Sequence, residues 1–436
     1  MILRRYCLFV ALLGLSLAPA TSEAQFLKNL FGGRDNDMRP VKRKPVAPKP
    51  KAQAQKDQPL AKKKEESRLK LAETEKKDRY RVDVLGPLYL SELVSNGKAV
   101  YKSHLPDKAL PGVSFYQGIK LAVDTLGSFG YKMDVYFHDI TDPAHSIDAL
   151  LKGNKLDSSD LIIGNVQATQ VAPLAAFAKK KQINFVSALS PSDANVSANL
   201  YFNLLQPSLQ LHCEAIRDAL NKRNKRDNIV VYRRSTNPLD EQCYKYITRD
   251  SSFNYSIVSM NVAMPTEKLA NFLDSNVTNV IVMPIVDLAY SAQLLQQLSK
   301  SFPEYVIEVY GMPSWKGMSL LNKEGALTSL GITVSAPFYF DPSVSAGKGF
   351  SEMFTRAYGG RPSEMAFRGY ETLYWYAYML NRYGTIFNDH LKDSGTAPFT
   401  RFDIELLKNK DGKELYYGNT HVYFYRYQGG SYSVIQ

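Results

Sequence analysis

Residues 160–193 read DLIIGNVQATQVAPLAAFAKKKQINFVSALSPSD. Leu161, Ile162 and Ile163 make a short apolar run, Gly164 turns the chain, and an alanine-rich stretch with helical spacing follows. Ile183–Ser187 is extended again before a Ser/Pro turn. This is a strand–turn–helix–strand unit, the kind that builds parallel sheets and places ligands at strand ends. It carries neither GxGxxG nor GxxxxGK[ST], the two fingerprints of a phosphate-bearing ligand. A different solute, or none, has to be considered.

The same alternation extends outward in both directions. Before the unit come an extended run at Arg81–Leu85, a helical stripe over Val113–Leu126 and a strand at Met133–His138. After it come Tyr201–Leu205, a helix from Leu209 and a strand at Ile229–Tyr232. A second series follows, with strands at Ser256–Val262, Val280–Met283 and Val306–Tyr310 and helices at Asp240–Arg249, Glu267–Ser275 and Ser291–Ser299. Such alternation predicts α/β architecture, and two series in one chain predict two domains rather than one oversized sheet. The ending departs from it. Ile332–Ala336 is extended, two helices follow at Ser345–Tyr358 and Ser363–Tyr383, and HVYFYRYQGGSYSVIQ reads as a hairpin turned at Gly429-Gly430.

The N-terminus, MILRRYCLFVALLGLSLAPATSEAQ, has Arg4 and Arg5 before an apolar run and small residues, Ser22 and Ala24, before Gln25. Residues 1–24 are therefore expected to be a cleaved secretory signal, and the rest a soluble protein of the periplasm. Residues 25–79 are rich in Lys and Pro and offer little apolar surface, so a disordered basic linker is expected, with a short exposed helix within Glu65–Arg79. The whole chain carries a formal charge of +12, but residues 26–80 hold 17 Lys/Arg against 8 Asp/Glu. The folded part is close to neutral. No nucleic-acid partner is expected for it, whereas the linker has the charge to contact an anionic envelope surface. With the signal removed, Cys213 and Cys243 remain, and the sequence leaves open one disulfide or two separate buried thiols.

Catalytic signatures are sparse. HExxH, CxxC and GxSxG are absent, and the six histidines show no metal-ligand spacing. S-x-x-K matches such as Ser95–Lys98 and Ser345–Lys348 lack a KTG partner. A binding protein with no cofactor and no metal is the better reading than a hydrolase whose site is dispersed along the chain.

Three stretches carry a resemblance. FYQGIKLAVDTL (115–126), FHDITDPAHSIDALLKGNKLDSSDLIIGNVQATQ (137–170) and FYFDPSVSAGKGFSEMFTRAYGGRPSEMAFRGYETLYWYAYML (338–380) resemble, in order and spacing, the type I periplasmic solute-binding family, whose members include Leu/Ile/Val-binding proteins of ABC transporters. The resemblance implies two Rossmann-like lobes with parallel sheets, joined by three chain crossings and enclosing ligand between them. It places lobe 1 at 81–203 plus 335–395 and lobe 2 at 204–334 plus 400–436. In amino-acid-binding members a Ser and a Thr hydroxyl hold the ligand carboxylate. Counting from Gly164, those positions fall on Ala168 and near Pro191. Either the register slides by one residue, or the ligand is not a free amino acid.

Strand-end chemistry supplies the candidate ligand-binding residues. Gln167 and Thr169 stand where the Gly164 turn enters a helix, and Ser187 and Ser190 end the next strand, where N–H groups and hydroxyls suit an anionic group. The facing loops supply Arg233, Arg234, Asp287, Ser314 and Trp315, the last as an apolar wall. The expected function is capture of a small polar or amino-acid-like solute for an ABC permease. The rival reading is an envelope adaptor that uses the same fold for protein or cell-wall contacts.

Overall fold

The computed structural model describes residues 69–101, 104–261, 266–323, 327–340, 344–392, 398–428 and 431–435. The signal segment and the linker up to residue 68 lie outside the described residues. The chain divides into two compact units, one of residues 1–70 and 341–362, the other of residues 71–340 and 363–436.

The larger unit begins with β1 (Tyr80–Gly86), a short helix α1 (Leu90–Leu93), a two-stranded hairpin β2 (Val94–Ser95) and β3 (Lys98–Ala99), and α2 (Leu110–Ser128). Then come β4 (Met133–Asp139), α3 (Ile147–Lys152), β5 (Leu161–Gly164), α4 (Ala168–Lys181), β6 (Asn184–Ser187) and β7 (Phe202–Leu204). The second series is α5 (Leu209–Asn221), β8 (Asn228–Arg233), α6 (Pro238–Thr248), β9 (Ser256–Ser259), α7 (Thr266–Ala270), β10 (Asn279–Val282), α8 (Leu288–Ser301), β11 (Ile307–Gly311) and β12 (Leu330–Ala336). Helix α9 (Ser345–Tyr358) is the described element of the smaller unit, with Phe350 and Phe354 on its buried face and Gly359 closing it at φ 74°. Helix α10 (Glu364–Tyr383) and strands β13 (Ile404–Lys408), β14 (Glu414–Asn419), β15 (Tyr423–Gln428) and β16 (Ser431–Ile435) complete the chain.

Two seven-stranded sheets result, in the orders β13-β14-β7-β6-β5-β1-β4 and β16-β15-β12-β11-β10-β8-β9. Strands β4, β1, β5, β6, β7 and β14 run parallel, as do β9, β8, β10, β11 and β12. Strands β5 and β6 are buried along their whole length, which is why β5 reads as an unbroken apolar run and not as an alternating one. Helices α2 and α10 pack against each other through glycines. A Cβ on Gly118 would lie 1.9 Å from the Ala366 carbonyl oxygen, and one on Gly369 would lie 2.1 Å from that of Phe115.

The chain passes between sheets three times, at residues 205–208, after β12, and at 420–422. One assignment changes. Residues 400–436 were expected in the second lobe, but β13 and β14 join the first sheet, because β14 pairs with β7 and Asn419 donates to the Leu205 carbonyl at 3.2 Å. Only β15 and β16 return to the second sheet, where β15 pairs with β12.

The linker boundary changes too. Residues 71–79 are not helical and do not hang free. They form a strap along the first lobe, with Leu71 and Ala72 against its core. The Ala72 amide donates to Tyr201 Oη at 2.8 Å, Thr74 Oγ1 to the Tyr383 carbonyl at 2.8 Å, and Lys77 Nζ to buried Asp160 at 2.8 Å. Glu75 and Thr385 exchange two hydrogen bonds, at 3.0 and 2.9 Å. Gly384, at φ 90°, makes room: a Cβ there would lie 2.5 Å from Thr74 Oγ1.

Candidate functional site

In parallel sheets the C-terminal strand ends form the mouth at which ligands bind. At the first lobe's mouth, Gly164 and Ser187 are register partners on β5 and β6. Gly164 is tightly confined, since a Cβ would lie 2.9 Å from the Phe185 ring. Gln167 caps α4, and its backbone N–H is held by Gln170 Oε1 at 2.9 Å. Thr169 stands exposed in the first turn, where helical N–H groups have no partner within the helix. Ser187 is fully buried, and its Oγ has no hydrogen-bond partner. Ser190, also buried, accepts the Ser192 amide at 3.3 Å. The structure thus brings Gln167, Thr169, Ser187 and Ser190 to neighbouring strand ends of one lobe.

The loop after β1 borders the same mouth. Its anchor, Asp139, was not singled out from the sequence. Asp139 Oδ1 accepts the Leu88 amide at 2.9 Å and the Thr141 hydroxyl at 2.6 Å, while Oδ2 accepts the Leu90 amide at 2.8 Å. These bonds fix Tyr89 in the left-handed region at φ 56°. The signal available in the sequence was the acidic turn after β4, Asp139 to Asp142.

At the second lobe's mouth the cations are already engaged. Arg233 makes a two-pronged pair with Glu241, at 2.9 and 2.7 Å, and lies over the Tyr244 ring. Hydrogen bonding to Arg233 holds the Glu241 carboxyl below its usual range. Arg234 pairs with Asp240 at 3.3 Å and Asp287 at 3.6 Å and lies over Tyr290. Asp240 is fully buried, and that burial raises its carboxyl even though it also accepts the Val286 amide at 3.0 Å. Asp287 caps α8 through the Tyr290 amide at 3.0 Å, and Ser314 Oγ donates to the Val286 carbonyl at 3.1 Å.

Trp315 corrects the expectation of an apolar wall. It is fully buried in the second lobe's core, and its Nε1 donates to the Ile285 carbonyl at 2.8 Å. Gly311 makes this possible, because a Cβ there would lie 2.1 Å from the indole.

Between the lobes, α10 carries a second polar cluster missed in the sequence. Arg368 and Glu371 pair with each other, both essentially without solvent exposure. The Thr400 amide donates to Glu371 Oε2 at 3.0 Å, and Arg368 Nη1 donates to Thr400 Oγ1 at 2.7 Å. Arg368 also reaches the Tyr339 carbonyl at 3.4 Å and lies over the Phe338 ring. Burial pushes the Glu371 carboxyl up to about 7, against the opposing pull of Arg368 and Thr400. Nearby, Lys316 of the second lobe pairs with Glu364 at the start of α10 at 3.0 Å.

Cys213 and Cys243 are free thiols on α5 and α6, buried in one core. Hydrogen bonding to Cys243, together with burial, pushes the Cys213 thiol up. Among the described residues no helix is long and apolar enough to cross a membrane, and no group of three acidic, His or Cys side chains is placed to hold a metal.

The fold has counterparts among solved structures. An ABC transporter substrate-binding protein from Desulfitobacterium hafniense in complex with Leu aligns over 82% of this chain and 100% of its own, at 16% identity and a TM-score of 0.53. A putative branched-chain amino acid ABC transporter protein from Rhodospirillum rubrum aligns over 82% of this chain and 99% of its own, at 12% identity and a TM-score of 0.58. This is the type I periplasmic-binding fold. Full-length LpoA from Haemophilus influenzae also matches, over 83% of this chain and 60% of its own, at 12% identity and a TM-score of 0.50. No protein-family profile and no curated protein matches the sequence. What the type I fold holds in this chain therefore has to be argued from its own residues.

Proposed function

We propose that the chain is an exported, non-enzymatic binding protein that captures a small polar or amino-acid-like solute between its lobes for an ABC permease. The observation that carries this reading is the paired end of β5 and β6. A buried Ser187 hydroxyl without a partner stands in register with Gly164, four residues before the start of α4. Buried hydroxyls without partners are uncommon, and a helix start favours negative charge, so a ligand carboxylate satisfies both. Ligands of the structural neighbours, Leu in the Desulfitobacterium complex, agree with that chemistry.

A thermal-shift screen of the protein against amino acids, small peptides and sugars tests it. A ligand at about 100 times its Kd stabilises by about 2.7 kcal/mol. Thr169→Ala should then weaken binding by about 1 kcal/mol, the worth of one hydrogen bond. If no solute shifts the melting temperature, the receptor reading falls.

One observation favours the adaptor reading as the second choice. Arg233 and Arg234 are neutralised by acids of their own lobe, and Trp315 is buried, so the second lobe offers a solute little that is free. Recovery of envelope proteins other than a permease in a crosslinked pull-down, with no solute binding, would establish it.

A further inference from the structure

His138 and His145 stand seven residues apart in the sequence and meet in the structure. His138 is the penultimate residue of β4, and His145 ends a single turn of 3-10 helix, Pro143–His145, just before α3. The loop between them is fixed by its own bonds. The Asp142 amide donates to the Asp139 carbonyl at 3.1 Å, the His145 amide to the Asp142 carbonyl at 2.9 Å, and the Ala144 amide to Asp142 Oδ1 at 2.9 Å. This turn brings the two ring centroids to 6.2 Å, with 39° between the ring planes. Two imidazoles that share one metal ion, each nitrogen about 2.0–2.1 Å from it, have centroids about 5–6.5 Å apart.

Each ring is held through one nitrogen by a carboxylate. His138 Nε2 lies 2.7 Å from Oδ1 of fully buried Asp83, whose Oδ2 accepts the Ser159 hydroxyl at 2.6 Å and Arg81 Nε at 2.8 Å. His145 Nδ1 lies 3.0 Å from Asp142 Oδ2. Burial pushes the Asp83 carboxyl up, but hydrogen bonds from His138, Arg81 and Ser159 hold it below its usual range, and the Ala144 amide and His145 do the same for Asp142. An ionised carboxylate only accepts, so the proton of each neutral imidazole sits on the bonded nitrogen. The lone pairs are left on His138 Nδ1 and His145 Nε2, neither of which has a hydrogen-bond partner among the described residues. A carboxylate behind the ring is the support that metal-bound histidines receive, because it fixes the tautomer and makes the other nitrogen more basic. Bonds to Asp83 and Asp142 account for one nitrogen of each ring. They do not account for two rings, each with a lone pair to spare, standing together.

We propose that His138 and His145 bind a divalent transition-metal ion, with Zn2+ as the working case, on the loop after β4. Imidazole nitrogen suits zinc, copper and nickel, whereas calcium and magnesium take oxygen ligands. Among the described residues no third acidic, His or Cys side chain is placed to join the pair, so the remaining positions go to water or to a donor group of a bound molecule. The site was hidden in the sequence because a seven-residue spacing puts two histidines on one face of neither a helix nor a strand. The turn at Asp142-Pro143 is what returns His145 to the end of β4. Metal binding does not depend on a solute, so it stands or falls separately from the receptor reading.

Isothermal titration of the full mature chain, without a histidine tag and stripped with chelator, tests the proposal. Zn2+ should bind saturably, one ion to a chain, and Ca2+ should not bind. Asp142→Asn keeps an oxygen for the Ala144 amide but offers His145 Nδ1 a donor in place of an acceptor, which turns the ring to the wrong tautomer. It should weaken Zn2+ binding by about 10–100-fold, the effect of losing a carboxylate behind a metal ligand. His145→Ala should weaken it at least as much. Both side chains are largely exposed, His145 at 51%, and a metal-free melting temperature close to the parent's confirms that each variant is folded. With Cu2+ in place of Zn2+, electron paramagnetic resonance should show coupling to imidazole nitrogen that diminishes in His145→Ala. Parent-like Zn2+ affinity in both variants would put the ion elsewhere and overturn the pair. Absence of Zn2+ binding by the parent would overturn it too. Comparable binding of Ca2+ would mark an oxygen site and overturn the assignment to imidazole.

Discussion

Replacing Glu371 with Gln puts the buried pair on α10 to a quantitative test. In the parent, Glu371 accepts from Arg368, from the Thr400 amide and from the Thr400 hydroxyl, and neither member of the pair reaches solvent. Gln keeps the shape and leaves the Arg368 guanidinium buried beside a neutral group. Gln mimics the protonated carboxyl, which the folded protein prefers up to about pH 7, so Glu371→Gln should cost little on the acid side and should abolish the parent's loss of stability as pH rises towards about 7. Removing Arg368 instead, as Arg368→Met, leaves a carboxyl that can shed its charge by binding a proton. Its cost should be lower on the acid side of neutrality and grow by about 1.4 kcal/mol per pH unit on the alkaline side. Replacing both, as Arg368→Met/Glu371→Leu, should cost less than the sum of the single changes, since neither charge is then stranded.

The pH dependence has a definite sign. The folded-state value of Glu371 lies above the ordinary carboxyl value, so the folded protein holds that proton more tightly. Its contribution to stability is full below the ordinary carboxyl range and is lost as pH rises towards about 7. Burial sets the direction, and Arg368 on the same helix and Thr400 on the segment packed against it pull the other way. Urea midpoints measured on both sides of neutrality report all of this. If Glu371→Gln leaves the parent's pH slope unchanged, Glu371 is not the group that sets it.

Two further outcomes follow from the strap and the thiols. Gly384→Ala puts a Cβ 2.5 Å from Thr74 Oγ1 at a φ of 90°, so it should release residues 71–79, and limited proteolysis should cut there before it cuts the core. Strain of this kind costs about 1–3 kcal/mol, and a digestion pattern identical to the parent's would mean that the strap does not depend on that close approach. Cys213 and Cys243 should both resist a thiol reagent in the native protein and both react after denaturation without reductant. A denatured, exported protein in which neither reacts would show that the pair is bridged.

The alternation of strands and helices was readable because each βα unit holds its own instructions. β5 is apolar along its length, Gly164 permits the turn, and α4 starts within four residues. Features whose partners lie far along the chain were not readable. The strap is polar and looks like linker, yet Thr74 and Glu75 bond to residues 383 and 385. Strands β13 and β14 lack a long apolar run, and only pairing with β7, more than two hundred residues earlier, assigns them to the first sheet. Trp315 looked like a cleft wall because the sequence does not announce that Gly311 leaves room for the indole to fold inward. The Arg233 pairing was nearer to view, since Glu241 stands eight residues on, in the first turn of the next helix.

That last pairing bears on where an anionic solute would sit. Drawing Arg233 onto a ligand carboxylate breaks a two-pronged ion pair and leaves Glu241 without it, so much of the gain is returned. The first lobe asks for no such exchange at Ser187, whose hydroxyl has no partner to give up. On the receptor reading proposed above, the negative end of the solute belongs on the first lobe, and substitution of Thr169 or Ser187 should cost more affinity than substitution of Arg233. A titration series in which Arg233→Ala is the most damaging of the three would reverse that orientation.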